Sequence, residues 1–137
     1  IILAYILLKT ITFVTFCLLL LFVILIGFWG TKKYIGKNSE KSDPAEVVVD
    51  EVIGQWIAVL PIGYMIQLPE FSFEGLWFVW IWAFISFRFF DIVKPWPISW
   101  ADKKIKGGWG IMIDDVLAAI FAGIILWLGQ IAYENYT

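Results

Sequence analysis

Four stretches of almost uninterrupted apolar residues, divided by short polar segments, organise this chain. The first covers about residues 10–29, centred on Leu18-Leu19-Leu20-Leu21. It reaches the roughly 20 residues that a helix needs to cross a bilayer. A polar segment with Lys32, Lys33, Gly36, Lys37, Asn38, Ser39 and Lys41 follows. Asp43-Pro44-Ala45-Glu46 then has the form of a helix start, with Asp43 as N-cap, Pro44 at the first helical position and Glu46 completing a capping box. The helix it opens is predicted over 47–68, kinked at Pro61. A turn around Pro69, Ser72 and Gly75 leads into a third segment, 76–93, crowded with Trp77, Trp80 and Trp82. Lys94-Pro95-Trp96-Pro97 must stop that helix, because proline lacks an N–H donor and restricts the residue before it. A polar loop over 99–110 precedes the last segment, 111–132. The expectation is an all-α, polytopic membrane bundle of four hydrophobic segments, forming a single domain over 1–137.

Composition strengthens this reading. The 137 residues are 61% hydrophobic and 16% charged, with a mean hydropathy of +0.85; soluble domains are roughly 45–50% apolar. Ile1 stands where Met is expected, so the chain is expected to be incomplete at its N-terminus. Histidine is absent, and Cys17, inside an aliphatic run, is the only cysteine. An intramolecular disulfide, a histidine-rich metal site and a histidine general base are therefore excluded. A thiol nucleophile is disfavoured, because no cation stands near Cys17 in sequence to lower its pKa.

The charges are segregated. Lys32, Lys33, Lys37 and Lys41 follow the first segment, and Lys94, Lys103, Lys104 and Lys106 follow the third, which leaves only Lys9 and Arg88 elsewhere. The positive-inside rule makes the lysine-rich face cytoplasmic. The same topology gathers acids there: Asp50 and Glu51 one to two turns into the second helix, Asp91 in the last turn of the third, Asp102 in the loop, and Asp114 and Asp115 in the first turn of the fourth. Glu70, Glu74 and Glu134 fall on the opposite side.

Clustered carboxylates repel one another unless a cation or a proton neutralises them. With no imidazole and no usable thiol, ligation through oxygen remains, which suits Mg²⁺, Mn²⁺ or Ca²⁺. Mg²⁺ typically takes one or two carboxylates and completes its shell with water and phosphate oxygens. Arg88, Lys94, Lys103, Lys104 and Lys106 could attract such a phosphate. Helix N-termini at Pro44 and near Gly110 favour anions, and Gly107, Gly108 and Gly110 would admit a ligand close to the backbone. Plainer readings stand beside each group. Asp50-Glu51 and Asp114-Asp115 could be helix-start acids that complement the dipole. Arg88 and Asp91, three apart, could be a self-contained ion pair, and topology alone accounts for the lysines. The coincidence of six acids at one edge of an apolar bundle favours a site. A charge at the centre of a membrane helix costs about 2.5–3.5 kcal/mol.

Several of these residues also carry a resemblance. Val48-Val49-Asp50-Glu51 with Gly54 and Trp56, Phe87-Arg88 with Asp91, Lys94-Pro95-Trp96-Pro97-Ile98, Asp102, and Gly107-Gly108-Trp109-Gly110-Ile111-Met112-Ile113-Asp114-Asp115 resemble the phosphatidylglycerophosphatase A family. The resemblance runs from about residue 45 to 123, and the last motif is long enough to be specific. It implies a bacterial inner-membrane, Mg²⁺-dependent lipid phosphatase that converts phosphatidylglycerophosphate to phosphatidylglycerol. The family's N-terminal glycine- and proline-rich motif and first hydrophobic helix have no counterpart in this chain. On this reading Asp50, Glu51, Asp91, Asp114 and Asp115 hold Mg²⁺, while Arg88 and Lys94 neutralise phosphate oxygens. Either a water or one of the aspartates attacks phosphorus, which places Asp50, Asp91, Asp102 and Asp115 in the catalytic set. Asp102 is a further ligand or the acid for the leaving alkoxide. The partner is a phospholipid held in the membrane, with no role for nucleic acid, and the pattern sets no oligomeric state. The rival readings are an ion- or proton-coupled transport subunit, whose acids should be spread through the membrane depth, and a non-catalytic scaffold.

Overall fold

A computed structural model describes residues 1–37, 48–67, 77–105 and 108–136. Every regular element among them is an α-helix: α1 (Ile2–Thr10), α2 (Phe13–Lys37), α3 (Val49–Ala58), α4 (Leu60–Met65), α5 (Trp77–Val93), α6 (Ile98–Lys104) and α7 (Gly108–Tyr136). The expected helix start at 43–46 and the turn at Pro69, Ser72 and Gly75 lie outside the described residues.

The first apolar stretch is a single helix, α2, and a separate helix, α1, precedes it. Thr10 turns its hydroxyl back to the Ile6 carbonyl at 2.9 Å, and Ile11 is extended, with φ −122° and ψ 160°. Thr12 then caps α2 by accepting the Thr15 N–H at 3.3 Å. Threonine side chains that compete for backbone partners end and begin helices in this way. The second stretch is broken between Ala58 and Leu60, where Pro61 occupies the first turn of α4 and has no N–H to continue the α3 ladder. The expected end of α5 at Val93 is observed; Lys94 follows with φ 45°.

The polar loop expected over 99–110 is replaced by structure. Ile98 and Ser99 donate their N–H groups to the Pro95 carbonyl, and Ala101 donates to that of Pro97, so the proline turn nucleates α6. Ile98 and Ala101 are its buried residues. α7 begins at Gly108 rather than 111 and runs on to Tyr136.

α7 is the central element, packed against α2, α3, α4, α5 and α6. Side-chain pairings give the directions. α2 runs against α3 and α4, with Phe16 near Trp56 and Phe13 near Tyr64. α3 and α7 run parallel, since Gly54 lies against the Asp115 carbonyl and Gly123 against Ala58 and Pro61. α5 runs against α3, because Arg88 meets Glu51 while Trp80 meets Tyr5 of α1. The C-terminal ends of α2 and α5 therefore lie at the same end of the bundle as the N-terminal ends of α3 and α7.

Among the described residues, two helices are long and apolar enough to cross a membrane, Phe13–Lys33 and Met112–Ala132. Of the other two expected segments, one is broken at Val59 and α5 has 17 residues. The outside of the bundle is apolar: Phe22, Leu25 and Trp29 on α2, Ile81, Trp82 and Phe84 on α5, and Ile124 and Trp127 on α7 are exposed. A continuous apolar exterior of this kind is costly in water and is matched by lipid.

Candidate active site

Asp50 and Glu51 stand in the first turn of α3, not one to two turns inside a helix. Asp50 is buried, at 7% exposure, and its Oδ1 accepts the Glu51 N–H at 2.9 Å. Glu51 is half-exposed and faces α5, where its Oε1 lies 2.9 Å from Arg88 Nη1. The same guanidinium nitrogen lies 3.2 Å from Asp91 Oδ2. The expected Arg88–Asp91 pair thus exists, but Glu51 from another helix joins it.

Asp114 and Asp115 correct the expectation in the other direction. α7 starts at Gly108, so neither acid is in its first turn. Both are only 5% exposed. Helix-dipole complementarity falls off within the first turn, so it does not account for them. Asp115 lies in electrostatic reach of Asp91, Asp50 and Asp114. Carboxylates this near one another repel unless a cation or a shared proton lies between them.

Lys94 closes the other side. Its Nζ donates to Asp102 Oδ1 on α6 at 2.9 Å and to Asp114 Oδ2 on α7. Burial opposes the charge on this ammonium, but the hydrogen bonds to Asp114 and Asp102 outweigh that effect and hold Lys94 above the usual lysine range. Asp114 Oδ1 is buried with no partner.

All eight residues singled out for the site therefore meet at one end of the bundle: Asp50, Glu51, Arg88, Asp91, Lys94, Asp102, Asp114 and Asp115. Six carboxylates face two cations within the cluster. Asp50, Asp91, Asp114 and Asp115 are its least exposed acids, with Glu51 and Asp102 at the rim. Among the described residues, no group of three or more ligand-type side chains is arranged to hold one ion.

Around the cluster, Lys103 and Lys104 are exposed on α6, while Lys106, Gly107 and the Pro44 helix start lie outside the described residues. Gly110 serves packing: a Cβ there would collide with the Ile105 carbonyl, so its missing side chain lets α7 close on the end of α6. One polar residue escaped the sequence reading. Gln55 on α3 is 5% exposed, and neither its Nε2 nor its Oε1 has a hydrogen-bond partner. The available signal was an amide inside an apolar helix, which is costly unless paired.

Comparison with known proteins bears on this cluster. A phosphatidylglycerophosphatase A of Haemophilus influenzae is 43% identical over 88 residues, which is 64% of this chain and 48% of that protein. The phosphatidylglycerophosphatase A of Escherichia coli is 38% identical over 96 residues, 69% of this chain and 49% of the relative. A Bacteroides thetaiotaomicron protein, named as a candidate phosphatidylinositol-3-phosphatase, is 39% identical over 100 residues, 73% of this chain and 56% of the relative. The chain thus spans about half the length of the curated relatives it matches. No solved structure matches it. The sequence model of the phosphatidylglycerophosphatase A family matches residues 1–130, a wider range than the 45–123 that the motifs cover. Together with the convergence of those motifs on one buried carboxylate cluster, this match places the chain in the phosphatidylglycerophosphatase A family.

Proposed function

We propose that the full-length protein is a Mg²⁺-dependent phosphatase that removes the terminal phosphomonoester of phosphatidylglycerophosphate, leaving phosphatidylglycerol and phosphate. The observation that carries this reading is the buried excess of carboxylates contributed by α3, α5 and α7, with Asp114 Oδ1 unpaired. The donor set is all oxygen and strongly negative, which fits a hard divalent cation. That no three ligand-type side chains among the described residues are arranged around one ion fits a cation carried by one or two carboxylates and completed by substrate phosphate.

In this reading Asp50, Asp91 and Asp115 hold the cation, and Asp114 offers its free oxygen to the same site. The bound cation would polarise the phosphomonoester and offset its charge. Arg88, held by Glu51 and Asp91, and Lys94, held by Asp102 and Asp114, present positive charge to phosphate oxygens from two sides. A carboxylate of the cluster that does not ligate the cation would take the proton given up by an attacking water. Asp102, at the rim and ion-paired with Lys94, is a further ligand or, when protonated, the acid for the leaving alkoxide.

The protein is proposed to be multi-pass in the bacterial inner membrane, with the cluster facing the cytoplasm. Lys32, Lys33, Lys103 and Lys104 lie at the carboxylate end of the bundle, as the positive-inside rule requires. The acyl chains then stay in the bilayer while the headgroup reaches the acids. A transport pathway would need acids through the membrane depth, whereas the described acidic side chains gather at one end. The Bacteroides relative's name raises a second substrate, an inositol lipid carrying a phosphomonoester, which the same cluster could serve.

Phosphate release from phosphatidylglycerophosphate and from phosphatidylinositol 3-phosphate, measured in parallel on the full-length protein, tests the reading. Release from the first, lost with EDTA and restored by Mg²⁺, is expected. Asp50→Asn and Asp115→Asn should each lower it by about 100-fold or more, the scale of a lost charge-stabilising group. EDTA-insensitive release, or near wild-type rates in both variants, would sink it; preference for the inositol lipid would move the substrate.

A further inference from the structure

Among the described residues, Gln55 is a buried polar side chain that the proposed chemistry leaves unused and whose amide has no partner at either end. It sits on α3, one helical turn beyond Glu51 and five residues beyond Asp50. At 1.5 Å per residue that is about 7.5 Å further along the helix from the carboxylate layer. Its neighbour Gly54 packs against the Asp115 carbonyl and the Phe87 ring, so α3 is pressed onto the acid-bearing stretches of α5 and α7 at this level. The side chain is 5% exposed, yet both ends of its amide are unpartnered. An unpaired amide in an apolar interior is penalised by several kcal/mol on transfer scales, and lipid offers no compensating partner. Leu or Met would fill the same volume without that penalty.

We infer that Gln55 is a specificity residue that binds the hydroxyl of the glycerol unit between the terminal phosphate and the phosphodiester of the lipid headgroup. This rests on the lipid-phosphatase reading and deepens it. With the phosphomonoester at the carboxylate layer and the acyl chains in the bilayer, the part of the substrate reaching past that layer towards the membrane centre is the three-carbon bridge. A hydroxyl donates one hydrogen bond and accepts others, and a glutamine amide supplies the complementary acceptor and donor. A ligand lacking the hydroxyl would leave the amide unpaired, so the site would reject it. Selection between lipid phosphomonoesters then comes from α3, not from the charged residues that engage the phosphate common to all of them.

The test uses the full-length protein in lipid nanodiscs with two substrates, phosphatidylglycerophosphate and phosphatidic acid, whose phosphate is attached without that bridging glycerol. The readout is the ratio of kcat/KM for the first over the second, in wild type, Gln55→Leu and Gln55→Met, with thermal unfolding recorded for each. Both variants should keep a melting temperature at or above wild type, because an unsatisfied polar group has been removed. The ratio should fall about tenfold, the worth of one net hydrogen bond. An unmoved ratio in folded variants, or an equal loss on both substrates, overturns the inference and makes Gln55 a hydrated or structural residue. Wild type that turns over neither lipid removes the phosphatidylglycerophosphate reading, and this inference with it. The two failures are distinguished by the wild-type rate alone.

Discussion

Lys94 holds carboxylates from two elements at once, Asp102 on α6 and Asp114 on α7. Among the described residues Asp114 pairs with no other cation, and its second oxygen is already unpaired. Removing the ammonium would leave an uncompensated buried charge, which costs about 3–5 kcal/mol where a buried pair is broken. Lys94→Met should therefore destabilise the protein by roughly 3 kcal/mol in detergent-solubilised denaturation. Adding Asp114→Asn to that background should recover most of the loss; no recovery would mean that Lys94 acts otherwise. The folded-state shift of Lys94 is upward, so its contribution is complete below the ordinary lysine value of about 10.4 and lost only as pH rises beyond it. Stability lost between pH 6 and 9 cannot come from this group. At this scale the sequence named the ionic residues that meet in the cluster, because residue type and oily context are local facts. It did not pair them: Arg88 with Glu51 and Lys94 with Asp114 join residues far apart in the chain.

Among the elements, α3 is tightly constrained at Gly54. A Cβ on Gly54 would come within 2.5 Å of the Phe87 ring and 3.3 Å of the Asp115 carbonyl. Gly54→Ala should overpack this contact at a cost of roughly 1–3 kcal/mol and displace Asp50 from its neighbours. Lower thermal stability together with lower kcat is the expected outcome. Gly30→Ala on α2, where nothing lies within 4 Å of the added methyl, should be neutral or stabilising; equal effects at both positions would refute the close-approach argument. The stop after Val93 and the break at Pro61 were legible, since proline acts on its own backbone. The Ile11 break and α6 were not. The first depends on threonine hydroxyls choosing backbone partners, and the second on Ile98 and Ala101 finding a surface to bury against.

For the whole molecule, orientation is the property most open to test. The ends of α2 and α6 bring Lys33 and Lys104 to the carboxylate end of the bundle. In a Cys17→Ala background, Lys33→Cys and Lys104→Cys should resist a membrane-impermeant thiol reagent in intact spheroplasts and react in inverted vesicles. Labelling in spheroplasts would put the cluster on the wrong face for a cytoplasmic headgroup.

Reading residues in order was enough to give the apolar exterior, the helical class and the family motifs, and to frame the oxygen-ligand proposal. Hydropathy, ligand type and proline placement are properties of short windows, and they survive without coordinates. Only packing decided that Asp114 and Asp115 lie past the first turn of α7, that Glu51 pairs with Arg88, and that Gln55 is buried without a partner. Each of those depends on where a helix begins in space or on the gap between two helices, and neither distance is written in local pattern.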